Sequence, residues 1–442
     1  MKKVAVLLLL ALVLLVGCMR TFPDGLDSSG SHSSAGTNPS TTPSSSSTES
    51  SPPEDVNDIK AIWLSQYDMF PIYTDGNTQR NQDGYSDLID TVLNNLLSYG
   101  FNTVFLQIRP NGDSMYPSDL FPMSRYAVAA YGKEASYDPV EILVKAAHKK
   151  GLQIHAWINP LRLMTSSEIT QVSNRYLIRQ WHDDPARNGT YIVEYNNRYY
   201  LNPAYPEVRQ LILDGASEIF RKYAFDGLHM DDYFYPSEDA AFDSAAYSAY
   251  IQSGGSLSLA DYRRSNMNQV VKALYDVTKS AAGNAVFGIS PAGNIDNVYN
   301  KQFADVYTWC SESGYIDYIC PQVYFGLEHG SHDFKSVCQT WSGIIKNPAI
   351  DMLVGMTLEK TISEYDAYAK TEAGKYEWRN HKDIIARCLR HTQTLPLCRG
   401  VSLFSYYLMF DPLAGSVNPE TEEEVSNFLP VFKNMTWNQM EA

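Results

Sequence analysis

From residue 59 onward, short β-branched and aromatic runs alternate with longer segments in which apolar residues recur at helical spacing. Eight of the short runs have the length and composition of buried strands. These strands are 59–65, 103–108, 153–158, 226–231, 285–290, 317–322, 351–356 and 400–405. The helical segments lie near 85–99, 138–150, 205–222, 259–282, 301–313, 332–346, 380–394 and 420–429.

Eight βα units in order predict an α/β fold, a (β/α)8 TIM barrel with extended βα loops. A doubly wound parallel sheet is the alternative, although it rarely reaches eight regular units. Asp138-Pro139 has the form of a helix start, and Gly100 and Gly151 stand where helices should end. In the long loop 163–203, the alternating residues 191–195 precede Asn196-Asn197 and predict a hairpin over the barrel mouth. That hairpin suits a lid or a subsite wall, or else a protein-contact surface.

The N-terminal region has the pattern of a targeting signal followed by a flexible linker. Lys2 and Lys3 precede an apolar run at 4–16, which is shorter than the ~20 residues of a spanning helix. The run ends in Leu15-Val16-Gly17-Cys18, which resembles a bacterial lipobox, so we expect residues 1–18 to be a lipoprotein signal and Cys18 to carry lipid. An ordinary signal peptide or an N-terminal anchor is the alternative. Residues 19–57 read as a disordered Ser/Thr/Pro-rich tether, and 58–442 as one domain.

Composition narrows the function classes. The 442 residues include 35 basic and 50 acidic side chains, a net charge of −15, and lack a basic block, which argues against nucleic-acid binding. The 31 Tyr, 17 Phe and 7 Trp suit a surface that meets sugars, although most should pack the fold. Five cysteines besides Cys18 are expected to be buried thiols, with a Cys388–Cys398 bridge left open. No cysteine or histidine spacing indicates a structural metal, and no cofactor is predicted.

Alternation along the strands turns polar and aromatic side chains toward the barrel axis. They fall at the carboxyl ends of the strands, where barrel enzymes build their active sites. The predicted axis-facing residues are Gln107, Arg109, His155, Trp157, Asn159, His229, Asp231, Ser290, Gln322, Tyr324, Thr357, Glu359 and Tyr406. Their coincidence at seven strand ends indicates a binding site, even though any one of them could be structural.

The segment 226–236 (DGLHMDDYFYP) carries the most specific chemistry. Adjacent carboxylates at a strand end, Asp231 and Asp232, suit acid–base or nucleophilic work on a sugar. Like charges this close should separate the two pKa values. Two other interpretations stay open: Asp232 caps the following loop, or the pair binds a cation. A metal hydrolase with His155, His229 and Asp231 as ligands is a weaker hypothesis.

Roles follow from position. Asp231 is the predicted nucleophile or stabiliser of oxocarbenium charge, and Asp232 belongs to the same catalytic centre. A general acid should lie across the scissile bond, so a sequence neighbour of Asp231 is a poor candidate, and Glu359 is preferred to Glu328. A structural role is the alternative for both glutamates. The predicted substrate-binding residues are Gln107, Arg109, His155, Trp157, Asn159, Arg162, His229, Tyr233, Ser290, Gln322, Tyr324 and Tyr406. Scaffolding remains the alternative for Arg109 and Arg162, as does core packing for Trp157.

Several segments together resemble the bacterial glycosyl-hydrolase-like family ten. They occur in the family's order between about residues 58 and 410. They are QIRP at 107–110 with Gly112-Asp113 and Tyr116, YDP at 137–139, HAWINPLR at 155–162, DGLHMDDYFYP at 226–236, ISPAG at 289–293 and DYICPQVY at 317–324. The resemblance implies a TIM-barrel glycoside hydrolase of the cell envelope, commonly a lipoprotein, with catalysis centred on Asp231-Asp232. Leu161 and Asn294-Ile295-Asp296-Asn297 depart from the family's pattern, which puts individual sugar contacts in doubt.

The sequence therefore predicts a glycoside hydrolase, lipid-anchored to the outer face of a bacterial membrane, that cleaves an envelope or extracellular polysaccharide. Peptidoglycan glycan strands are one candidate substrate. The expected partners are that polysaccharide and the membrane, not nucleic acid. The alternative is a non-catalytic glycan-binding surface lipoprotein on a hydrolase-derived barrel, since fold alone does not establish activity.

Overall fold

The computed structural model of this protein describes residues 58–437. The predicted signal peptide, the lipidation site Cys18 and the predicted tether lie outside the described residues. Within 58–437, no helix is both long and apolar enough to cross a membrane.

Eight parallel strands close into a barrel, which confirms the predicted TIM-barrel fold. They are β1 Ile59–Leu64, β2 Thr103–Arg109, β3 Gln153–Ile158, β4 Gly227–Met230, β5 Val286–Ile289, β6 Tyr318–Ile319, β7 Asp351–Thr357 and β8 Cys398–Phe404. Each strand pairs with its neighbours in chain order, and β1 pairs with β8 to close the ring. Strand β6 has two residues where 317–322 was predicted, since Pro321 interrupts the ladder.

Helices fill the connections and cover the outside of the barrel. The α-helices are Gln66–Tyr73, Gln82–Ser98, Arg125–Val128, Pro139–Lys149, Leu177–Asp183, Pro206–Lys222, Ser244–Gln252, Leu259–Ala281, Ile295–Asn300, Val306–Trp309, Phe334–Ile344, Glu372–Asn380, Ile384–Thr392, Tyr406–Met409 and Glu422–Asn434. Short 3-10 turns occur at Ile169–Gln171, Ala240–Asp243 and Glu359–Ile362. Asp138 caps the helix that begins at Pro139 by accepting from the Val140 and Glu141 N–H groups. Gly100 and Gly151 follow their helices with positive φ values of 87° and 77°, as predicted.

The single helix predicted at 301–313 is wrong. The chain instead forms two short helices, Ile295–Asn300 and Val306–Trp309. Between them Phe303 has a φ of 55°, a left-handed conformation that a continuous helix does not contain. Asp305 then starts the second helix, where its side chain accepts from the Thr308 N–H.

The predicted hairpin in the β3–β4 connection is confirmed. Ile192–Tyr195 pairs antiparallel with Arg198–Leu201, which also pairs with Arg162–Thr165. We call these three strands the insertion sheet. The turn residues Asn196 and Asn197 have φ values of 50° and 59°, the left-handed pair that a two-residue hairpin turn with the twist of its strands requires.

The barrel interior is packed with rings. Trp63, Phe105, Trp157 and Tyr318 form its centre with smaller side chains from other strands. Axis-facing glycines make room for them, because a Cβ at Gly288 would collide with the Tyr318 ring. The interior is thus a solid floor beneath the mouth rather than a pore.

All five cysteines in the described part of the chain are free and buried, in agreement with the expected buried thiols. The Cys388–Cys398 bridge that the sequence left open is not formed.

Candidate active site

Asp231 is the first residue beyond β4, and its carboxylate is held at the barrel mouth. The side chain is only 3% exposed. The Nδ2 atom of Asn159, just beyond β3, donates to both carboxylate oxygens at 3.0 and 2.9 Å. The backbone N–H of Tyr233 approaches Oδ1 at 3.4 Å. These donors fix the orientation of the carboxylate before any ligand binds.

A chain of amides extends this support to the neighbouring strands. The Gln66 backbone N–H donates to Gln107 Oε1 at 2.7 Å, and Gln107 Nε2 donates to Asn159 Oδ1 at 3.0 Å. With its oxygen so occupied, Asn159 can present only its NH₂ group to Asp231. Gln107 and Asn159 were predicted to bind substrate. The structure places both in positions that orient Asp231.

Asp232 is held from the opposite side. Gln322, beyond β6, hydrogen-bonds its side chain and also donates from Nε2 to the Ser290 carbonyl at 3.1 Å. Asp231 therefore turns toward β3 and Asp232 toward β5 and β6. Two carboxylates that are adjacent in sequence are in this way drawn to different sides of the β4 end.

Burial shifts the pKa values of both carboxyl groups upward. Burial, followed by the Asp232 charge, raises the pKa of Asp231 well above its usual range. Burial also raises the pKa of Asp232 to about 6, although Gln322 and Arg162 act against the increase. Two interacting carboxyls with raised pKa values retain a proton near neutral pH, so one can act as an acid while the other acts as a base.

Charged and aromatic side chains surround the pair. The Arg162 guanidinium, on the insertion sheet, lies 4.4 Å from the centre of the Tyr233 ring and close enough to Asp231 to lower its pKa. Tyr324 stands near Phe404, with ring centres 6.1 Å apart. Burial raises the pKa of Tyr324 well above its usual range, and the charges of Asp232 and Glu359 add to the increase. These residues form a polar and aromatic rim around the two aspartates.

The two predicted acids differ in position. Glu359 is exposed at the start of the turn that follows β7, with its backbone N–H bound to Thr357 Oγ1 at 3.0 Å. Its effect on Tyr324 places it on the same side of the barrel as the aspartates. Glu328 is also exposed, but its backbone is tied to Glu377 and Thr371 on the outer wall of the loop. The geometry therefore favours Glu359 over Glu328.

The two histidines belong to the barrel floor. Trp63 Nε1 donates to His229 Nε2 at 3.1 Å, which leaves the His229 proton on Nδ1, 2.8 Å from the Tyr318 hydroxyl. That hydroxyl is 3.0 Å from His155 Nδ1. Burial lowers the pKa of His155 to about 4 and that of His229 well below its usual range, so both rings are neutral. Predicted sugar contacts from His229 are therefore wrong, because both of its nitrogens are already bound.

The same network bears on the metal hypothesis. No group of three or more His, Cys, Asp and Glu side chains within 58–437 is arranged to hold a metal ion. The ligand set of His155, His229 and Asp231 would also require a free nitrogen on His229.

Trp157 and Ser290 lie where the predicted parity puts them, at the top of the floor. Trp157 is 5% exposed and its Nε1 has no partner among the described residues, so it remains a donor candidate at the mouth. Ser290 is fully buried, and its backbone carbonyl accepts a hydrogen bond from Gln322 Nε2.

Two predicted site residues point away from the mouth. The β2–β3 register shifts between Gln107 and Arg109, which turns Arg109 outward, where its guanidinium stacks 4.4 Å from the centre of the Phe121 ring beside Gly215. Tyr406 lies in a helix rather than a strand, fully buried, and its hydroxyl accepts from Asn95 Nδ2 at 3.1 Å. Both predictions extended the alternation of a strand past the point where regular pairing ends.

Gln66 and Tyr67, which follow β1, were not predicted. Gln66 starts the amide chain, and Tyr67 is 56% exposed at the rim. The same strand-end argument that singled out the other seven strands could have found them.

Comparison with known proteins identifies the family of this chain. The model of the family described as glycosyl hydrolase-like 10 matches residues 58–370. Glycosyl hydrolase YngK of Bacillus subtilis (strain 168) is 31% identical over 331 residues, which are 70% of this chain and 62% of YngK. Glycosyl hydrolase DigH of Escherichia coli (strain K12) is 29% identical over 383 residues, 81% of this chain and 83% of DigH. This chain thus spans less than two thirds of the length of YngK.

Solved structures resemble the barrel at low sequence identity. The glycoside hydrolase domain of PgaB (BpsB) from Bordetella bronchiseptica has a TM-score of 0.53 and 12% identity, covering 84% of this chain and 99% of that domain. The catalytic domain of β-amylase from Paenibacillus polymyxa has a TM-score of 0.54 and 9% identity, covering 85% and 99%. At such identities the likeness shows the fold alone. The family model, which spans well over half of the sequence, shows that this chain belongs to the glycosyl hydrolase-like 10 family.

Proposed function

We propose that this protein is a glycoside hydrolase that cleaves O-glycosidic bonds in an envelope or extracellular polysaccharide. The observation that carries the proposal is the Asp231–Asp232 pair at the barrel mouth, with one carboxylate held by Asn159 and the other by Gln322. The family membership and the names of the two relatives support the same reaction class.

The two carboxyl groups take different roles in glycoside cleavage, proton donation and charge stabilisation. The pair retains a proton near neutral pH, and when that proton lies on Asp232, which Gln322 holds on the side away from Asn159, Asp232 can donate it to the leaving oxygen. Asp231, oriented by Asn159, stabilises positive charge at the anomeric carbon when it is ionised. Glu359 is the second candidate for the acid, because it lies on the same rim without being adjacent to Asp231 in the chain.

Reducing-end release tests the reaction. The full-length protein in detergent would be incubated with peptide-bearing and peptide-free peptidoglycan glycan strands and with plant and bacterial polysaccharides. We expect wild type to release new reducing ends, Asp231→Asn and Asp232→Asn to lose at least about 1000-fold in kcat, and the exposed control Asp261→Asn to match wild type. Equal release by wild type and Asp231→Asn would contradict the proposal. Binding of a glycan without any release by wild type would favour the non-catalytic glycan-binding lipoprotein.

We further propose that lipid on Cys18 anchors the protein to the outer face of the membrane. The sequence Leu15-Val16-Gly17-Cys18 supports this location, and peptidoglycan strands are then the nearest polysaccharide. Membrane fractionation with labelled palmitate tests the anchor. Wild type should partition with membranes and carry the label, whereas Cys18→Ser should carry none.

A further inference from the structure

An aromatic cluster lies near the aspartate pair, and of its three rings only that of Tyr126 packs against the hydrophobic core. It consists of Tyr67 and Phe70, on the helix after β1, and Tyr126; we call it the rim cluster. Tyr67 is 56% exposed and Phe70 is 37% exposed. Large aromatic surface left open to water next to a polar site is characteristic of ligand-binding surfaces.

The rings support one another at their edges. Tyr126 stands perpendicular to both Tyr67 and Phe70, with ring centres 5.7 Å apart in each pair. Arg125 lies over the Tyr126 ring, 4.4 Å from its centre, and is paired with Glu168 at 2.8 Å. Tyr126 therefore supports the other two rings, while Tyr67 keeps a large free surface.

The backbone that carries Tyr67 is held firmly. Ser65 and Asp68 form a reciprocal capping box at the start of this helix. Asp68 Oδ1 also accepts from Ser405 Oγ at 3.0 Å and from the Tyr407 N–H at 2.6 Å, which ties the helix to the end of β8. A preorganised ring loses little conformational entropy when a ligand stacks on it.

The cluster is continuous with the active site. Gln66, the neighbour of Tyr67, begins the amide chain that reaches Asp231 through Gln107 and Asn159. The Tyr67 phenol is also close enough to Arg162 and Tyr233 to interact with both electrostatically. A ligand that extends from Asp231 past Arg162 and Tyr233 therefore approaches Tyr67.

We propose that Tyr67 is the stacking surface of a second sugar subsite, so that the substrate is an oligosaccharide chain that crosses from Asp231 to the rim cluster. This inference deepens the proposed function and rests on it. A pyranose ring presents an apolar face of C–H groups that fits an exposed aromatic ring, while its hydroxyl groups remain in water or meet Arg162. Binding at this distance from the scissile bond also helps to position the sugar at Asp231.

Binding and length dependence test the subsite. Dissociation constants would be measured by calorimetry in the full-length Asp231→Asn protein, with peptide-free peptidoglycan glycan strands and with the hexamer and dimer of β-1,4-linked N-acetylglucosamine as probes. We expect Tyr67→Ala to weaken binding of at least one long probe roughly tenfold, and Tyr67→Trp to restore it. The dimer, if it occupies only the site at Asp231, should bind weakly and equally to all variants. Tyr307→Ala removes a comparable tyrosine, 41% exposed and in contact with Tyr299 in the β5–β6 connection, and should leave affinity unchanged.

The possible outcomes separate the subsite from the reaction. Unchanged affinity in Tyr67→Ala, no recovery in Tyr67→Trp, or no binding of either long probe would overturn the subsite. Reducing-end release by the variants in the wild-type Asp231 background is measured in parallel. Release that does not depend on Tyr67 would leave the hydrolase and remove the subsite, whereas Tyr67-dependent binding without release would do the reverse.

Discussion

Opposing effects act on the Asp231 carboxyl. Burial and the Asp232 charge favour its protonated form, while Arg162 and the hydrogen bonds from the Tyr233 N–H and Asn159 favour the ionised form. Burial prevails, so the site keeps a proton that an exposed aspartate would lose. The Arg162 charge lowers the pKa of Asp232 as well as that of Asp231. Replacing Arg162 should therefore change the pH dependence of the whole pair.

Replacing Arg162 should move the alkaline limb of the pH–rate profile. If activity needs a protonated Asp232, kcat/KM falls as the pH rises through a pKa of about 6. Removal of the positive charge in Arg162→Met raises that pKa, so the falling limb should move to higher pH by about 0.5–1 unit. Arg162→Lys keeps a charge and should move it less. A profile of kcat/KM between pH 4 and 9 measures the shift, and a limb that stays in place in Arg162→Met would contradict this electrostatic role.

At the scale of elements, the segment after the aspartate pair is fastened by a buried ion pair. Arg263, on the helix Leu259–Ala281, donates to Asp243 at 2.7 Å, and neither side chain is exposed. The same guanidinium donates to the carbonyls of Ser237 and Asp239. One helical side chain therefore fixes the course of the loop that leaves β4 and the active site.

Loss of Arg263 should destabilise the fold because it leaves the buried Asp243 carboxylate without its positively charged partner. Arg263→Met is expected to lower the free energy of unfolding by about 3–5 kcal/mol, and Arg263→Met with Asp243→Leu should recover much of that loss. Urea unfolding of wild type, both single variants and the double variant gives the comparison. A double variant as unstable as Arg263→Met would show that the bonds to the loop carbonyls matter more than the charge pair.

The final helix makes a pH-dependent contact with the helix Ile384–Thr392. Glu424 accepts from the Ile385 N–H at 2.6 Å, and burial raises the pKa of Glu424 to about 7. A raised carboxyl pKa means that the folded state loses stability as the pH rises from the unfolded value toward 7. Glu424→Gln retains an acceptor oxygen and cannot ionise. Relative to wild type, it should therefore gain about 1–3 kcal/mol of stability between pH 5 and pH 8.

Chemical unfolding of both proteins at pH 5 and pH 8 tests the Glu424 contact. The exposed variant Glu423→Gln provides the control, because a solvated carboxylate should show no such difference. An effect of Glu424→Gln that is identical at the two pH values would contradict the expectation.

At the scale of the whole molecule, the barrel interior packs well because glycines leave the space that large aromatic rings occupy. Tyr318 links His155 to His229, and through Trp63 the network reaches β1 on the other side of the barrel. Gly288 leaves the space that the Tyr318 ring occupies. With Phe105 of β2, the floor on which the active site rests is therefore assembled from at least six strands, none of which determines it alone.

A methyl group at Gly288 should disturb this floor. Gly288→Ala forces the Tyr318 ring to move in a close-packed interior, and we expect a loss of about 2–3 kcal/mol in the free energy of unfolding. Gly283→Ala is the matched control, since a Cβ there meets no atom within 4 Å. Urea midpoints of the two variants measure the difference, and equal midpoints would show that the interior accommodates the methyl group.

Much of the fold could be read from local pattern. The periodicity of apolar residues predicted all eight barrel strands, and capping residues such as Asp138 and Gly100 marked helix ends correctly. Such signals depend on neighbours within a few positions, so no long-range information is needed to interpret them. The same alternation correctly placed His155, Trp157, His229 and Asp231 on the axis side. It failed at Arg109, where a register shift reversed the parity, and at Tyr406, where a helix had already begun.

What the sequence determined by itself, then, is a barrel with an aspartate pair at one strand end, because strand composition and alternation are properties of contiguous residues. Only the tertiary structure decided what each polar group is bound to. Both ring nitrogens of His229 form hydrogen bonds, with Trp63 and Tyr318, which are 166 and 89 positions away in the chain. The side-chain amide of Gln107 donates to Asn159 and so orients it. It likewise decided that Tyr67 stands exposed beside the site. Partners so distant in the chain meet only when the barrel closes. The sequence shows which groups can donate or accept hydrogen bonds, but not which partners they bind.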